Sequence, residues 1–222
     1  YTRGALGSIG GVETFMSQNV PTHTVGVGTG TPLVNGADQN VTYAASKDTN
    51  TQTIVTDGWT NSTTAIVKAG DVLTFAGCFA VNPVTKSTMS HLKEFVVTAD
   101  ANSGATTGPA TITISPAMIV SGAFQNASAV PANNATIVLK GTGAGLYEQN
   151  MMFTKNAFAL VSVPLVSPPG AVDVSRQSHK GTNVRVIPVY DGTNDVSKWR
   201  LDVLYGVKTI DERQAVRVSG TA

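Results

Sequence analysis

Between Val72 and Lys140 the chain repeats one pattern, a short run of alternating apolar residues followed by a turn signal. The runs are Val72-Leu-Thr-Phe75, Glu94-Phe-Val-Val-Thr98, Ala110-Thr-Ile-Thr-Ile-Ser115 and Ala135-Thr-Ile-Val-Leu-Lys140, punctuated by Asn82-Pro83, Asn102-Ser-Gly104 and Asn133-Asn134. Successive side chains of an extended strand point to opposite faces, so Ile112 and Ile114 against Thr111 and Thr113 mark a strand with one buried face. Ala65-Ile-Val67 reads as a further strand that turns through Ala69-Gly-Asp71 into the first run. Five or six short strands with regular turns predict a closed barrel or a sandwich. Composition agrees: 13% charged and 6% aromatic residues favour short strands with polar turns over long helices. The fold class expected is mainly β, or α+β.

A chain of 222 residues can bury one large core or two modest ones without staples. The net charge of +1 gives no electrostatic case for specific nucleic-acid binding or for an anionic membrane. Cys78 stands alone, which excludes an internal disulfide and a cysteine-built metal site. No apolar run approaches the roughly 20 residues of a membrane helix. The chain begins at Tyr1 without Met, basic n-region or apolar h-region, and the expectation is a piece of a longer precursor.

Outside the barrel-like centre the character changes. From Gly11 to Pro21, Val12, Thr14 and Met16 alternate with Glu13, Phe15 and Ser17 as one short strand ended by the proline. Thr24–Thr64 is rich in Thr, Asn, Gly and Asp, with Asn35-Gly36 and Asp57-Gly58 as turns. From Tyr147 onward arginine replaces lysine as the common base, and arginine is the better residue for paired contacts across an interface. Phe158–Leu165 and Asn183–Tyr190 are apolar strand candidates that Pro164 and Pro188 push toward edges or bulges. Near the end, Trp199, Leu201, Val203 and Tyr205 alternate with Arg200 and Asp202. This predicts a half-buried strand with the aromatic face inward and a bend at Gly206.

No constellation for catalysis or metal binding emerges. His23, His91 and His179 lie far apart in unlike contexts and read as solvated or core-satisfied. Gly26-Val-Gly-Thr-Gly30 and Gly141-Thr-Gly-Ala-Gly145 lack the full dinucleotide fingerprint, and the second reads as a hinge. Asp191-Gly-Thr-Asn-Asp195 lacks the bidentate glutamate of a calcium loop and reads as a turn. Four Asn-x-Ser/Thr matches carry no weight in so Asn- and Thr-rich a chain. Asn35–Thr56 reads as a solvated polar loop holding Asp38, Lys47 and Asp48. No catalytic residue, cofactor or metal is expected.

Four segments, in order, resemble the major coat proteins of short-tailed bacteriophages of the Salmonella phage type. They are Lys68–Gly77, then Ala80–Lys86 leading to Phe95–Thr98, then Thr111–Pro116, and finally Asn156–Pro164 with the Arg200–Val207 tail. The resemblance implies a Hong Kong 97 type capsid fold whose apical part carries an inserted six-stranded β-barrel. It implies residues 1–22 as core leading into the insertion, 23–146 as the barrel, and 147–222 as returning core. It also implies a C-terminal half without the N-terminal arm, extended loop and spine helix, self-assembly into an icosahedral shell, scaffolding and portal partners, and a virion assembled in the bacterial host cytoplasm. For the loop holding Asp38, Lys47 and Asp48 it implies charge contacts between capsomers. The alternative reading is a carbohydrate- or cell-surface-binding β module, which would need exposed aromatic platforms where this chain has only Trp59 and Trp199 as tryptophans.

Overall fold

A computed structural model describes residues 4–39, 50–171, 173–211 and 214–219. Among these it is built from strands and turns, with no α-helix. The chain divides into two compact units, Tyr1–Asn150 with Ser219–Ala222, and Met151–Val218.

In the first unit β1 (Ala5–Ile9) and β2 (Val12–Phe15) form an antiparallel hairpin, and β3 (Thr22–Thr24) follows. Then come β4 (Gly30–Val34), β5 (Gln52–Trp59), β6 (Val72–Val81), β7 (Thr88–Val97), β8 (Ala110–Ser115) and β9 (Ile137–Leu139). These six form one antiparallel sheet in the order β4-β5-β8-β7-β6-β9. Its first and last strands also meet: Leu33 bridges Thr136, the Val34 N–H donates to Ala135 O at 3.0 Å, and Asn134 N–H donates to Val34 O at 2.8 Å. The sheet is therefore a nearly closed six-stranded barrel, and closure removes the open edges that otherwise recruit other chains.

Period two builds the barrel interior. Ala110, Ile112 and Ile114 of β8 point inward beside Ile54 of β5, Leu73 and Phe75 of β6, and Phe95 and Val97 of β7, all buried. The Phe75 and Phe95 rings meet edge to face with centroids 5.6 Å apart. Each of the larger side chains contributes about 1.5–3 kcal/mol on leaving water, so this unit holds a core of its own. β6 and β7 run longer than the sequence runs predict, because β6 bulges between Thr74 and Phe79 and continues to Val81. Ala65–Val67 is no strand: Ala65 has a positive φ of 52°, and Val67 makes one bridge, to Ala101, while its side chain and that of Ile66 fill the core. The polar segment after Asn35 is also shorter than expected, since Gln52, Ile54 and Thr56 are inward residues of β5.

The chain leaves the barrel along β10 (Leu146–Phe153), whose first residues pair with β3 through Tyr147↔His23. In the second unit β11 (Phe158–Ser162) pairs with β15 (Tyr205–Thr209), and β12 (Ser175–His179), β13 (Thr182–Asp191) and β14 (Val196–Asp202) form a three-stranded sheet. β16 (Ala215–Ser219) lies beside β10, where Thr154 N–H donates to Gln214 O at 3.0 Å. Pro188 sits in β13 past Val186, the last residue that β12 pairs, so the strand has an open side there, as a proline needs. Gly206 makes no bend; it pairs with Val161 inside β15, and the break falls at Val203-Leu204.

Candidate functional site

Two features of the first unit organise its polar chemistry. Asp71, at the head of β6, is 1% exposed. Its Oδ2 accepts the Gly26 N–H at 3.0 Å and the Lys68 N–H at 2.7 Å, while its Oδ1 receives His23 Nε2 at 2.7 Å. A carboxylate in a dry site needs its lone pairs filled, and here three partners from two chain segments fill them. The incoming segment is held on its other side as well, since Val25 N–H donates to Gly145 O and Ala144 N–H to Gly26 O, both at 3.0 Å. Gly26 has no room for a side chain, because a Cβ there would lie 2.6 Å from Val67 Cα. Both glycine-rich segments thus serve close backbone approach. His23 is accounted for by this bond, and His91 and His179 are exposed.

The second feature is the excursion between β4 and β5. Asp38 is exposed at its base with a positive φ of 56°, a conformation that Asp and Asn tolerate better than most residues. Lys47 and Asp48, the other charges expected to act with it, lie outside the described residues.

In the second unit the sheet of β12, β13 and β14 is inside out. Directly paired residues share a face, so Val186 with Leu201 and Pro188 with Trp199 form one side. The other side carries Arg185 opposite Asp202 and Ile187 opposite Arg200. The charged side is the sheltered one: Arg185 and Asp202 are joined at 2.5 Å, at 12% and 13% side-chain exposure, and Arg185 also donates to Val166 O. The Arg185 and Arg200 guanidiniums hold the Asp202 carboxyl below its ordinary range. The apolar side faces water, with Trp199 67% and Leu201 68% exposed, and Tyr190 and Tyr205 are equally open. The expected inward aromatic face is thereby corrected. The alternation does separate two faces, but Asp202 takes the sheltered position because it satisfies two guanidiniums, and an unpaired Arg185 there would cost more than an exposed Trp. Among the described residues of this unit, Ala157 and Ile187 are the buried apolar ones.

Asp191 closes the β13–β14 turn, accepting from Asn194 Nδ2, Lys198 Nζ and Thr193 N–H, which lowers its pKa. That is a turn and not a cation loop, and no group of three or more metal-ligating side chains occurs among the described residues. Trp59 is buried, its Nε1 donating to Thr56 Oγ1 at 2.9 Å, so it offers no sugar platform. No helix is long and apolar enough to cross a membrane among the described residues.

Compared with known families, residues 1–218 match the model of the P22 coat protein, gene protein 5. The chain belongs to the P22 coat protein family. A curated relative, the major capsid protein of Acyrthosiphon pisum secondary endosymbiont phage 1, is 28% identical over 206 residues, covering 89% of this chain and 48% of its own length. The chain thus spans about half the length of the curated relative it matches. Among solved structures, the CUS-3 coat protein I-domain matches at 26% identity with a TM-score of 0.34, covering 50% of this chain and 96% of that one. Membership of the P22 coat protein family turns attention from pockets to surfaces. The surfaces sequence reasoning missed are the outward apolar face of β13 and β14 and the Asp71 fastening. The first was signalled by the Trp199–Asp202 alternation. The second had no signal, since two of its three partners, Gly26 and His23, are 45 and 48 residues away in sequence.

Proposed function

We propose that this chain is the part of a phage coat protein that combines an autonomous inserted barrel, residues 23–146, with a stretch of Hong Kong 97 type shell core, residues 147–222. Its function is mechanical: repeated subunit contacts build an icosahedral head, with no catalysis and no cofactor. The observation that carries this reading is the inside-out sheet of the Met151–Val218 unit. A face with Trp199 and Leu201 open to solvent and Val186 and Pro188 half-buried beside them, with paired charges behind it, is the polarity of a surface awaiting a permanent partner. An enzyme or a sugar-binding module would have no use for it on such a scale. In the assembled head this surface is covered, and the work of covering it is done with scaffolding and portal proteins in the host cytoplasm before the virion is complete.

The loop holding Asp38, Lys47 and Asp48 is assigned the contact between capsomers. The exposure of Asp38 at its base supports that role. Expression of the full-length coat protein with its scaffolding protein and negative-stain imaging test the whole reading. Uniform closed shells are expected, and a monodisperse protein that never assembles with scaffolding overturns it. The loop assignment is tested separately with Asp38→Asn plus Asp48→Asn. These substitutions remove charge and, at position 38, keep a residue that tolerates positive φ, and a drop in shell yield is expected with the subunit still folded.

A further inference from the structure

The base of the β4–β5 excursion is closed by one side chain. β4 ends at Val34, opposite Thr56, and beyond it the Asn35 N–H donates to Val55 O at 3.0 Å, which is half of a further rung. Gln39 completes it. Its Oε1 accepts the Val55 N–H at 2.7 Å, the bond the Asn35 carbonyl would otherwise take, and its Nε2 lies 3.1 Å from Val55 O beside the Asn35 N–H. The same Nε2 reaches Asn35 O at 2.9 Å and Gly36 O at 3.3 Å, tying the start of the excursion to itself. The Gln39 carbonyl accepts Gln52 Nε2 at 2.7 Å, and Gln52, 4% exposed, uses its Oε1 to accept the Met118 N–H at 2.9 Å. Residue 39 is thus bolted to the first residue of β5 and, through it, to the segment after β8. Asn133 adds a strut from β9's side, its Oδ1 accepting the Gly36 N–H at 2.8 Å.

We propose that Gln39 is a positioning residue that fixes where the β4–β5 excursion leaves the barrel wall, so that Asp38, exposed at its base, is presented to the shell contact in one place. This rests on the loop reading above. A solvated connector has no need of a side-chain amide that completes a strand rung and is relayed through a buried glutamine. Flexible loops tolerate length and sequence change cheaply, whereas a contact repeated throughout a shell gains from pre-organisation because ordering cost is met before binding.

The test uses Gln39→Ala and Gln39→Glu in the full-length coat protein, with Asp38→Asn plus Asp48→Asn as the control. In Gln39→Ala, hydrogen exchange at the Val55 amide should quicken by about fivefold to tenfold, the effect of losing one hydrogen bond. Amides of Leu73 and Ile112, the melting temperature and the subunit's fold should not change, and the yield of closed shells should fall. Gln39→Glu keeps the acceptor for Val55 N–H but loses the donors, so it should retain Val55 protection and still lower shell yield. Unchanged Val55 exchange in Gln39→Ala overturns the proposal. So does faster exchange with normal shells when the aspartate control lowers shell yield, since the loop would then matter but its placement would not. If the control also assembles normally, the loop reading itself has failed and the positioning role falls with it.

Discussion

His23 Nε2 lies 2.7 Å from Asp71 Oδ1, and this bond fastens the strand that enters the barrel to the head of β6. The two residues are 48 positions apart, and the carboxylate is fully buried while the imidazole is partly exposed. The Asp71 side chain also takes two backbone donors, so the fastening does not depend on His23 alone.

Asp71→Ala should therefore cost far more than His23→Ala. Removing the carboxylate orphans the N–H groups of Gly26 and Lys68 in a dry site, a loss on the order of 3 kcal/mol, whereas removing the imidazole deletes one bond worth about 1 kcal/mol. Urea denaturation of the chain, following Trp59 fluorescence in a Trp199→Phe background, measures both. Equal effects would mean that the backbone bonds to Asp71 contribute little.

The buried Cys78 thiol makes a second expectation. Burial among the core residues pushes its pKa up to about 11, against a smaller opposing effect from Lys93. At neutral pH it is a thiol and not a nucleophilic thiolate. A thiol-specific disulfide reagent should leave the native chain unlabelled and label it stoichiometrically in denaturant. Rapid labelling under native conditions would show that the β6 bulge opens.

The outward Trp199 reverses what its sequence pattern predicts. A buried aromatic would cost about 3–5 kcal/mol on truncation to alanine, but at 67% exposure the same change should shift this chain's stability by no more than about 0.5 kcal/mol. In the full-length coat protein Trp199→Ala and Leu201→Ala should lower assembly or subunit yield. If both leave shells unaffected, the apolar face is not an interface.

What the sequence disclosed and what it hid follow from the range of the physics. β8 coincides with the run Ala110–Ser115 because alternation of Ile with Thr distinguishes the two faces of a strand locally. The same alternation at Trp199–Asp202 showed that two faces differ but not which one is wet. That is decided by Arg185, seventeen residues away, which draws Asp202 to the sheltered side. Ala65–Val67 misled because burial of Ile66 and Val67 comes from a loop that plugs the barrel, and apolar character alone does not distinguish a plug from a strand. Asp71, Gln39 and Gln52 were silent, since each is an ordinary polar residue until folding brings distant backbone to it.

Acid should loosen the β13–β14 sheet through Asp202. Its folded-state pKa is depressed, first by the Arg185 guanidinium and then by that of Arg200. A depressed carboxylate contributes stability that is fully present above its unfolded pKa of about 4 and is lost as pH falls through the lower folded value. The chain should therefore tolerate mild acid and lose protection of the Arg185 and Val186 amides only below about pH 4. Asp202→Asn should weaken the sheet at neutral pH and flatten that acid dependence, because the group that titrates is gone. Hydrogen exchange from pH 6 down to 3, corrected for the intrinsic pH dependence of exchange, separates the two proteins. An acid profile for Asp202→Asn that parallels the unmodified chain would place the sensitivity elsewhere, with Asp191 at the hairpin turn the next carboxylate to examine, since Asn194, Lys198 and Thr193 depress it in the same sense.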